Sequence, residues 1–453
     1  MHTVASSLAR LLRAASRRLG RSGGTTAPGR LLLKLSPSSL GRMAARLDRG
    51  AVLVSATNGK TTTAAMIADA LEQGGERVVH NRAGSNMAWG VATALLDAGR
   101  EPGQLGLFEV DEAWLPSVAK AVRPRAYLLA NLFRDQLDRY GELELLADRW
   151  EELVAAETAS GRGVRLVLNA DDPLVADLGR DRTGVTYFGV EDDAQALPAL
   201  QHAADSKHCR NCGTPYVYEA IYLGHMGRYR CPNCGRARPE PQVAATRVQL
   251  EGMNGSQVEL RTPAGRLDLH LPLPGLYNVY NAVAAAAVAL ELGVSLDTVG
   301  AALEGFGGAF GRVETIPIDG RQVSILLVKN PAGANEVLRT LTLEDGELDL
   351  WLALNDRIAD GRDVSWIWDA DFELLAGRVR RVTCSGTRAE EMALRLKYAG
   401  IEAEPVVDRD LGDSLDSAVK GAEGRLFALP TYTALLDLRD LLARRGLARR
   451  WSE

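Results

Sequence analysis

The densest chemistry in this 453-residue chain lies at Thr57, Asn58, Gly59, Lys60, Thr61 and Thr62. An apolar run, Ala51 to Ser55, precedes these residues, and a helix-like stretch, Ala64 to Leu71, follows them, so the spacing predicts strand, loop and helix. A loop in that position turns backbone N–H groups and a helix N-terminus toward phosphate. Gly59 permits close approach, Lys60 would bridge the β- and γ-phosphates of ATP, and the Thr61 hydroxyl would reach Mg²⁺. The strict GxxxxGK[ST] pattern is not met, since Val54 stands where its first glycine would be. Lys60 is nevertheless one of seven lysines beside 46 arginines, which sets it apart from a surface turn.

Phosphate transfer also needs carboxylates at neighbouring strand ends. Phe108-Glu109-Val110-Asp111-Glu112 follows one such strand, and Glu109 is the favoured Mg²⁺ ligand. The next strands end at Asn131 to Gly141, with Asp135, Gln136 and Asp138, and at Asn169 to Pro173, with Asp171 and Asp172. Taken singly, each cluster reads equally well as a helix cap or a solvated turn.

Cysteine spacing gives a second signal. Cys209 and Cys212, and then Cys231 and Cys234, form two CxxC pairs with eighteen residues between them, each pair followed by a glycine, Gly213 or Gly235. This is zinc-ribbon spacing, and four thiolates make a closed, structural Zn²⁺ site. With four cysteines present, His202, His208 and His225 read as surface residues, and Tyr216, Tyr218, Tyr222 and Tyr229 as packing for a small module. Cys384, at an expected strand end, reads as a small buried residue; no nucleophile-elbow pattern surrounds it.

The elements that must position these groups alternate strand and helix. Apolar strands recur at Leu105 to Val110, Ala126 to Ala130, Val164 to Leu168 and Val185 to Phe188, separated by helical patterns such as Gly141 to Glu157. That rhythm predicts a mostly parallel α/β sheet. It breaks between about 195 and 245, where the cysteines lie, and the break reads as an insertion. From about 316 to 453 a smaller α/β domain is expected, with strands at Val323 to Val328, Leu348 to Leu354, Val379 to Thr383 and Leu426 to Leu429 and a helix at Leu435 to Leu447. The expected organisation is thus a basic helical segment over 1–50, an ATP-binding domain over 51–315 and the C-terminal domain.

Composition narrows the classes. Hydrophobic residues are 46% and charged residues 25%, which suits globular domains rather than disorder. The net charge of −5 gives no broad basic footprint for nucleic acid. Residues 1–50 hold ten Arg or Lys against Asp48, with leucines at helical spacing from Leu8 to Leu19, so this head packs as a helix or makes peripheral contact with an anionic membrane. No secretory leader or membrane span is apparent, and a cytoplasmic location is expected.

The ordered set Thr57 to Thr62, Glu109, Asn131 to Gly141, Asn169 to Pro173, Gly275 to Ala285 with Asn278 and Asn281, and Phe306 to Glu314 with Arg312 resembles the central domain of the Mur ligases and folylpolyglutamate synthases. Those enzymes phosphorylate a carboxylate with ATP and let an amine attack the acyl phosphate. The resemblance implies that Asn278 and Asn281 flank adenine and that Arg312 contacts phosphate. The departures are informative. Gln136 replaces a metal-binding His, no lysine occurs between Lys120 and Lys207 to be carbamylated, and Leu327 to Pro331 replaces an Asp-Tyr-Ala-His-Asn-Pro motif. Only about fifty residues precede the phosphate loop, too few for a UDP-sugar-binding domain.

With its zinc insert, short front, Lys329 to Gly333, Ser385 to Glu390 and Pro430 to Thr433, and a loop Asn355 to Asp369 dense in carboxylates, the chain resembles the MurT family, the Mur-ligase-like subunits of lipid II isoglutaminyl synthase. The resemblance implies a heterodimer with a glutamine amidotransferase subunit of the GatD type. It further implies amidation of the α-carboxylate of D-isoglutamate in the lipid II stem peptide, with ammonia from the partner, at the inner face of the membrane. Asp363 would complete the partner's Cys-His pair across the interface, with Asp356 and Asp360 as nearby rivals. The competing readings are a Mur-type ligase adding an amino acid, a zinc-ribbon nucleic-acid-binding NTPase, and a non-catalytic ATP-binding adaptor.

Overall fold

The computed structural model of the chain describes residues 9, 26–81, 85–99, 101–135, 142–202, 204–307 and 313–448. The leucine face from Leu8 to Leu19, Gln136, Asp138 and Arg312 lie outside them.

The first sheet begins with β1 (Ala51–Ser55), β2 (Arg77–His80), β3 (Gln104–Glu109), β4 (Ala126–Leu129), β5 (Arg165–Asn169) and β6 (Val185–Val190). The insertion supplies a separate hairpin, β7 (Val217–Leu223) and β8 (Met226–Arg230), and β9 (Val243–Leu250), β10 (Ser256–Thr262) and β11 (Gly265–Leu271) rejoin the main sheet. Its nine strands run β11-β10-β9-β6-β5-β4-β1-β3-β2. All pairings from β2 to β9 are parallel, and β9-β10 and β10-β11 are antiparallel.

β1, β3 and β4 are buried at every residue, as strands covered on both faces must be. Val52 and Val54 face one apolar cluster with the helices Lys60–Gln73 and Leu276–Glu291. Ala51 and Leu53 face the other, with Leu32, Leu115 and Trp150 from the opposite layer. Alternation along a strand divides the two layers in this way. The helix Ala27–Leu35 docks on the second layer: the backbone N–H of Gly29 donates to Thr93 Oγ1 at 3.0 Å, and a Cβ at Gly29 would collide with the Trp89 carbonyl. The antiparallel strands β9 to β11 were not visible in the sequence rhythm, because a strand with one open face alternates instead of forming an apolar run.

The second sheet comprises β12 (Val313–Ile318), β13 (Arg321–Leu326), β14 (Leu348–Ala353), β15 (Val379–Ser385), β16 (Val406–Val407) and β17 (Leu426–Pro430), in the order β12-β13-β17-β14-β15-β16. Only β12-β13 is antiparallel. No helix among the described residues is long and apolar enough to cross a membrane.

Candidate active site

The chain leaves β1 at a switch point of the sheet, where β3 lies on one side and β4 on the other. Crevices of this kind, outside the carboxyl ends of parallel strands, are where α/β sheets bind ligands. Gly59 caps the helix Lys60–Gln73 with a φ of 84°, and a Cβ there would strike the Asn281 side-chain oxygen. Glycine is therefore required twice, for backbone conformation and for space. The loop is pinned from β4: Asn58 N donates to Asn131 Oδ1 at 2.9 Å, Asn131 Nδ2 returns a bond to Asn58 O at 3.0 Å, and Phe133 N donates to Thr57 Oγ1 at 3.0 Å.

The Lys60 ammonium is buried and pairs with Glu112 Oε2 at 2.7 Å, while also donating to the Ala56 carbonyl. Burial disfavours its charge, but Glu112, Asp111 and Glu109 outweigh burial and hold its pKa above the usual lysine value. Burial likewise pushes Glu112 up, and the attraction of Lys60 and Lys329 holds it below the carboxylate range. Thr61 Oγ1 donates to Glu109 Oε1 at 3.0 Å, and Glu109 Oε2 is buried without a hydrogen-bond partner. Asn81 fixes the Glu109 backbone from both sides, at 3.0 and 2.8 Å. A hydroxyl beside an unsatisfied carboxylate oxygen is a donor set that suits a hard divalent cation.

The second domain closes over this loop. Lys329, just beyond β13, donates to the Thr57 carbonyl at 3.0 Å and pairs with Asp135 at 2.6 Å. Asn330 exchanges bonds with the Asn58 side chain, at 3.0 and 3.3 Å, and caps the following helix, Pro331–Leu341, through Gly333 N at 2.9 Å. Between the domains lies a cleft lined by Asn58, Gly59, Tyr277, Asn278, Asn281 and Glu336. Asn278 and Asn281 sit on the helix Leu276–Glu291, where Asn281 Nδ2 donates to Asn278 Oδ1 at 3.0 Å and Thr63 Oγ1 donates to Asn281 Oδ1 at 3.0 Å. Sequence reasoning quoted Glu112 only within an acidic cluster, and Lys329 and Asn330 only within a family-like stretch, and gave none of them a role of its own; Glu336 was not singled out.

The four cysteines come together. Their sulfurs lie within 4.8 Å of one another, with Cys209–Cys234 at 3.5 Å and Cys212–Cys231 at 3.4 Å. Tetrahedral bonds of about 2.3 Å to zinc would set sulfurs roughly 3.8 Å apart, so the cluster can hold a metal. Gly213 N and Gly235 N close the two knuckles onto Cys209 O and Cys231 O, at 2.7 and 3.1 Å. Tyr216 and Tyr229 pack edge to face against this centre, 4.9 Å between centroids.

The insertion does more than pack itself. Its β7-β8 turn drives into the domain interface, so that Leu223 and Met226 line the same cleft as Asn278. Tyr222 joins the main core. His225, expected at the surface, is fully buried in that turn, with its ring 4.7 Å from Phe133 and its Nε2 3.5 Å from Asp172. The sequence does not show this, because the hairpin's apolar tip lies among polar knuckle residues.

The three loop carboxylates separate by environment. Asp360 is buried and accepts bonds from Thr433 N at 2.7 Å and Thr433 Oγ1 at 2.5 Å; burial raises its pKa. Asp356 is half-buried and engaged by Thr387 Oγ1 at 2.8 Å and Arg388 Nε at 2.7 Å. Asp363 is exposed, with a bond from Ser365 N at 2.8 Å that lowers its pKa. It lines a surface depression shared with Arg134, Asp135 and Lys329. Cys384 is buried, and burial pushes its thiol up to about 12, as an inert core residue requires.

A phosphate loop at the switch point of a parallel sheet, closed by a smaller α/β domain, defines a Mur-ligase-type enzyme. The Mur ligase middle domain model matches residues 54–237, and the MurT ligase C-terminal model matches residues 327–435. The solved structure of a pseudomurein peptide ligase type C from Methanothermus fervidus superposes with a TM-score of 0.68 at 22% identity, covering 88% of this chain and 79% of that one. The chain is 34% identical over 438 residues to the lipid II isoglutaminyl synthase subunit MurT of Staphylococcus aureus strain COL, covering 96% of this chain and 97% of the relative. It is 31% identical over 449 residues to the same subunit of Streptococcus pneumoniae, covering 96% and 95%. The chain belongs to the MurT family.

Proposed function

We propose that this chain is the synthetase subunit of a lipid II isoglutaminyl synthase, activating the α-carboxylate of D-isoglutamate with ATP and transferring ammonia to it. The observation that carries the reading is the approach of Lys60 and Lys329, one from each domain, to the Thr57 carbonyl, with Asp363 lining the depression that reaches Lys329, combined with the near full-length similarity to subunits so named.

Thr57 to Thr62 hold the triphosphate, with backbone N–H groups at the helix N-terminus and the Lys60 ammonium facing developing charge. Thr61 and Glu109 would hold Mg²⁺, which would supply charge neutralisation for phosphoryl transfer. Arg312 contacts phosphate by family resemblance. A carboxylate oxygen attacks the γ-phosphorus and ADP leaves; ammonia then attacks the acyl carbon, and inorganic phosphate leaves with the C–O electron pair and takes up the proton that the nitrogen releases. Lys329, on the Thr57 carbonyl and lining the depression that Asp363 shares, is the cation we assign to the incoming carboxylate and the leaving phosphate.

Ammonia comes from a GatD-like glutamine amidotransferase subunit in a heterodimer. Asp363, exposed beside the depression that reaches Lys329, orients that subunit's catalytic histidine. Cys209, Cys212, Cys231 and Cys234 hold Zn²⁺ in a structural site. The enzyme acts at the cytoplasmic face of the membrane, where the basic residues 1–50 make peripheral contact.

Mass spectrometry of lipid II incubated with the chain, ATP and Mg²⁺ tests the reading, with ammonium, glutamine, or glutamine and the partner as donors. Amide formed with ammonium, but with glutamine only when the partner is present, is expected. No amide under any condition, or incorporation of a labelled amino acid instead, overturns it.

A further inference from the structure

The interdomain cleft holds one polar group whose hydrogen-bonding capacity is unspent. Glu336, on the helix Pro331–Leu341, is 1% exposed, and neither of its carboxylate oxygens has a partner. The cation nearest along its helix does not serve it. Arg339 turns away to the carbonyls of Tyr222 and Gln195, at 3.1 and 3.0 Å. The asparagines on the facing helix are also committed: Asn278 Nδ2 donates to Pro274 O at 2.8 Å, and its Oδ1 accepts from Asn281.

An unpartnered buried carboxyl costs folding free energy and persists where a ligand completes it. Burial pushes Glu336 up to about 7, so neutral and charged forms are both accessible near neutral pH. The cleft around it is lined by Leu223, Met226, Leu273 and Val337, with Tyr277 and Lys329, and by Asn58 and Gly59 of the phosphate loop. With its phosphates on that loop, a nucleotide would place its base in this cleft, which Glu336 also lines.

Resting on the ATP reading of this cleft, we infer that Glu336 is the base-selecting residue, accepting a hydrogen bond from the exocyclic 6-amino group of adenine. A carboxyl oxygen accepts from that amine in either protonation state. Against hypoxanthine, which carries an oxygen at the same place, the charged carboxylate meets a second acceptor, whereas the neutral carboxyl can donate to it, so the selection belongs to the charged form and is read above pH 7.

The test compares equilibrium binding of ATP, ITP and 2′-deoxy-ATP to the full-length chain and to two variants. Glu336→Leu removes the carboxylate without opening a large cavity, and Glu336→Gln retains an acceptor. The wild type is expected to prefer ATP over ITP by at least about tenfold. Glu336→Leu should bring that ratio near one chiefly by weakening ATP, and Glu336→Gln should keep ATP affinity while gaining affinity for ITP, because its amide can turn to donate to the hypoxanthine oxygen. Equal weakening of all three nucleotides in Glu336→Leu, or a change in the ATP to 2′-deoxy-ATP ratio instead, overturns the inference. Should Glu336→Leu fail to fold, a wild type without preference for ATP over ITP overturns it as well. Failure of the wild type to bind any triphosphate would instead strike the ATP reading itself.

Discussion

Lys60 and Lys329, one from each domain, both donate to the carbonyl oxygen of Thr57, at 3.4 and 3.0 Å. Two ammonium groups on one acceptor repel, and each is relieved by its own carboxylate, Glu112 for Lys60 and Asp135 for Lys329, at 2.7 and 2.6 Å. The arrangement holds two cations at this loop with their charge balanced.

The two lysines should therefore separate by step. Lys60→Ala is expected to weaken ATP binding and amidation together, whereas Lys329→Ala should cost roughly 10²-fold in amidation with smaller loss of nucleotide affinity. Nucleotide titration beside ammonium-dependent turnover measures the split, and equal losses in both quantities for both variants would refute it.

Glu112 carries a stability prediction with a definite sign. Its pKa is depressed in the folded chain, so its contribution is present above the unfolded carboxylate pKa and disappears as pH falls through the folded value. Glu112→Gln leaves the buried Lys60 charge without its paired carboxylate, with only Asp111 and Glu109 near it, and should destabilise by about 3 kcal/mol at neutral pH, the gap from wild type narrowing in acid. Urea unfolding at pH 7 and at successively lower pH checks this, and a gap that widens in acid contradicts it.

Asp363 and Asp360 are three residues apart and should behave oppositely. Asp363→Asn is expected to abolish amidation from glutamine while sparing amidation from ammonium, since the exposed carboxylate has only a local bond to Ser365. Asp360→Ala should lower stability by about 1–3 kcal/mol through the loss of both Thr433 bonds. Parallel assays with the two nitrogen donors, together with thermal unfolding, tell the residues apart. A loss of ammonium-dependent turnover in Asp363→Asn would place that residue elsewhere in the mechanism.

Local patterning made the α/β class readable, because buried parallel strands write themselves as apolar runs such as Ala51 to Ser55. Spacing made the cysteine cluster readable for a similar reason: CxxC is a local signal that two knuckles share. What stayed hidden depends on tertiary approach. Lys329 meets Thr57 across 272 residues, and no local pattern encodes such a meeting. Glu336 lies on a helix whose apolar periodicity would suit any core, and its missing partners appear only when the opposite wall is known. His225 looked like a surface residue beside the cysteines, yet the hairpin turn carries it under Phe133.

That hairpin gives the last prediction. The four-cysteine cluster closes the base of the β7-β8 hairpin, and the turn beyond it supplies Leu223 and Met226 to the interdomain cleft and seats His225 against Phe133. Phe133 in turn holds Thr57 of the phosphate loop through its backbone N–H. Anchors also tie the insert to the sheet independently of any metal, with Arg238 on Asp171 at 2.5 Å and Arg236 on Asp177 at 2.9 Å. Loss of metal should therefore loosen the hairpin without unfolding the nine-stranded sheet. Chelation, or Cys212→Ser, is expected to weaken nucleotide binding roughly tenfold while far-UV circular dichroism changes little. Titration of nucleotide before and after chelation, with metal content measured on the same samples, decides the point. Unchanged affinity in a metal-depleted chain would mean that the hairpin is held by its anchors alone.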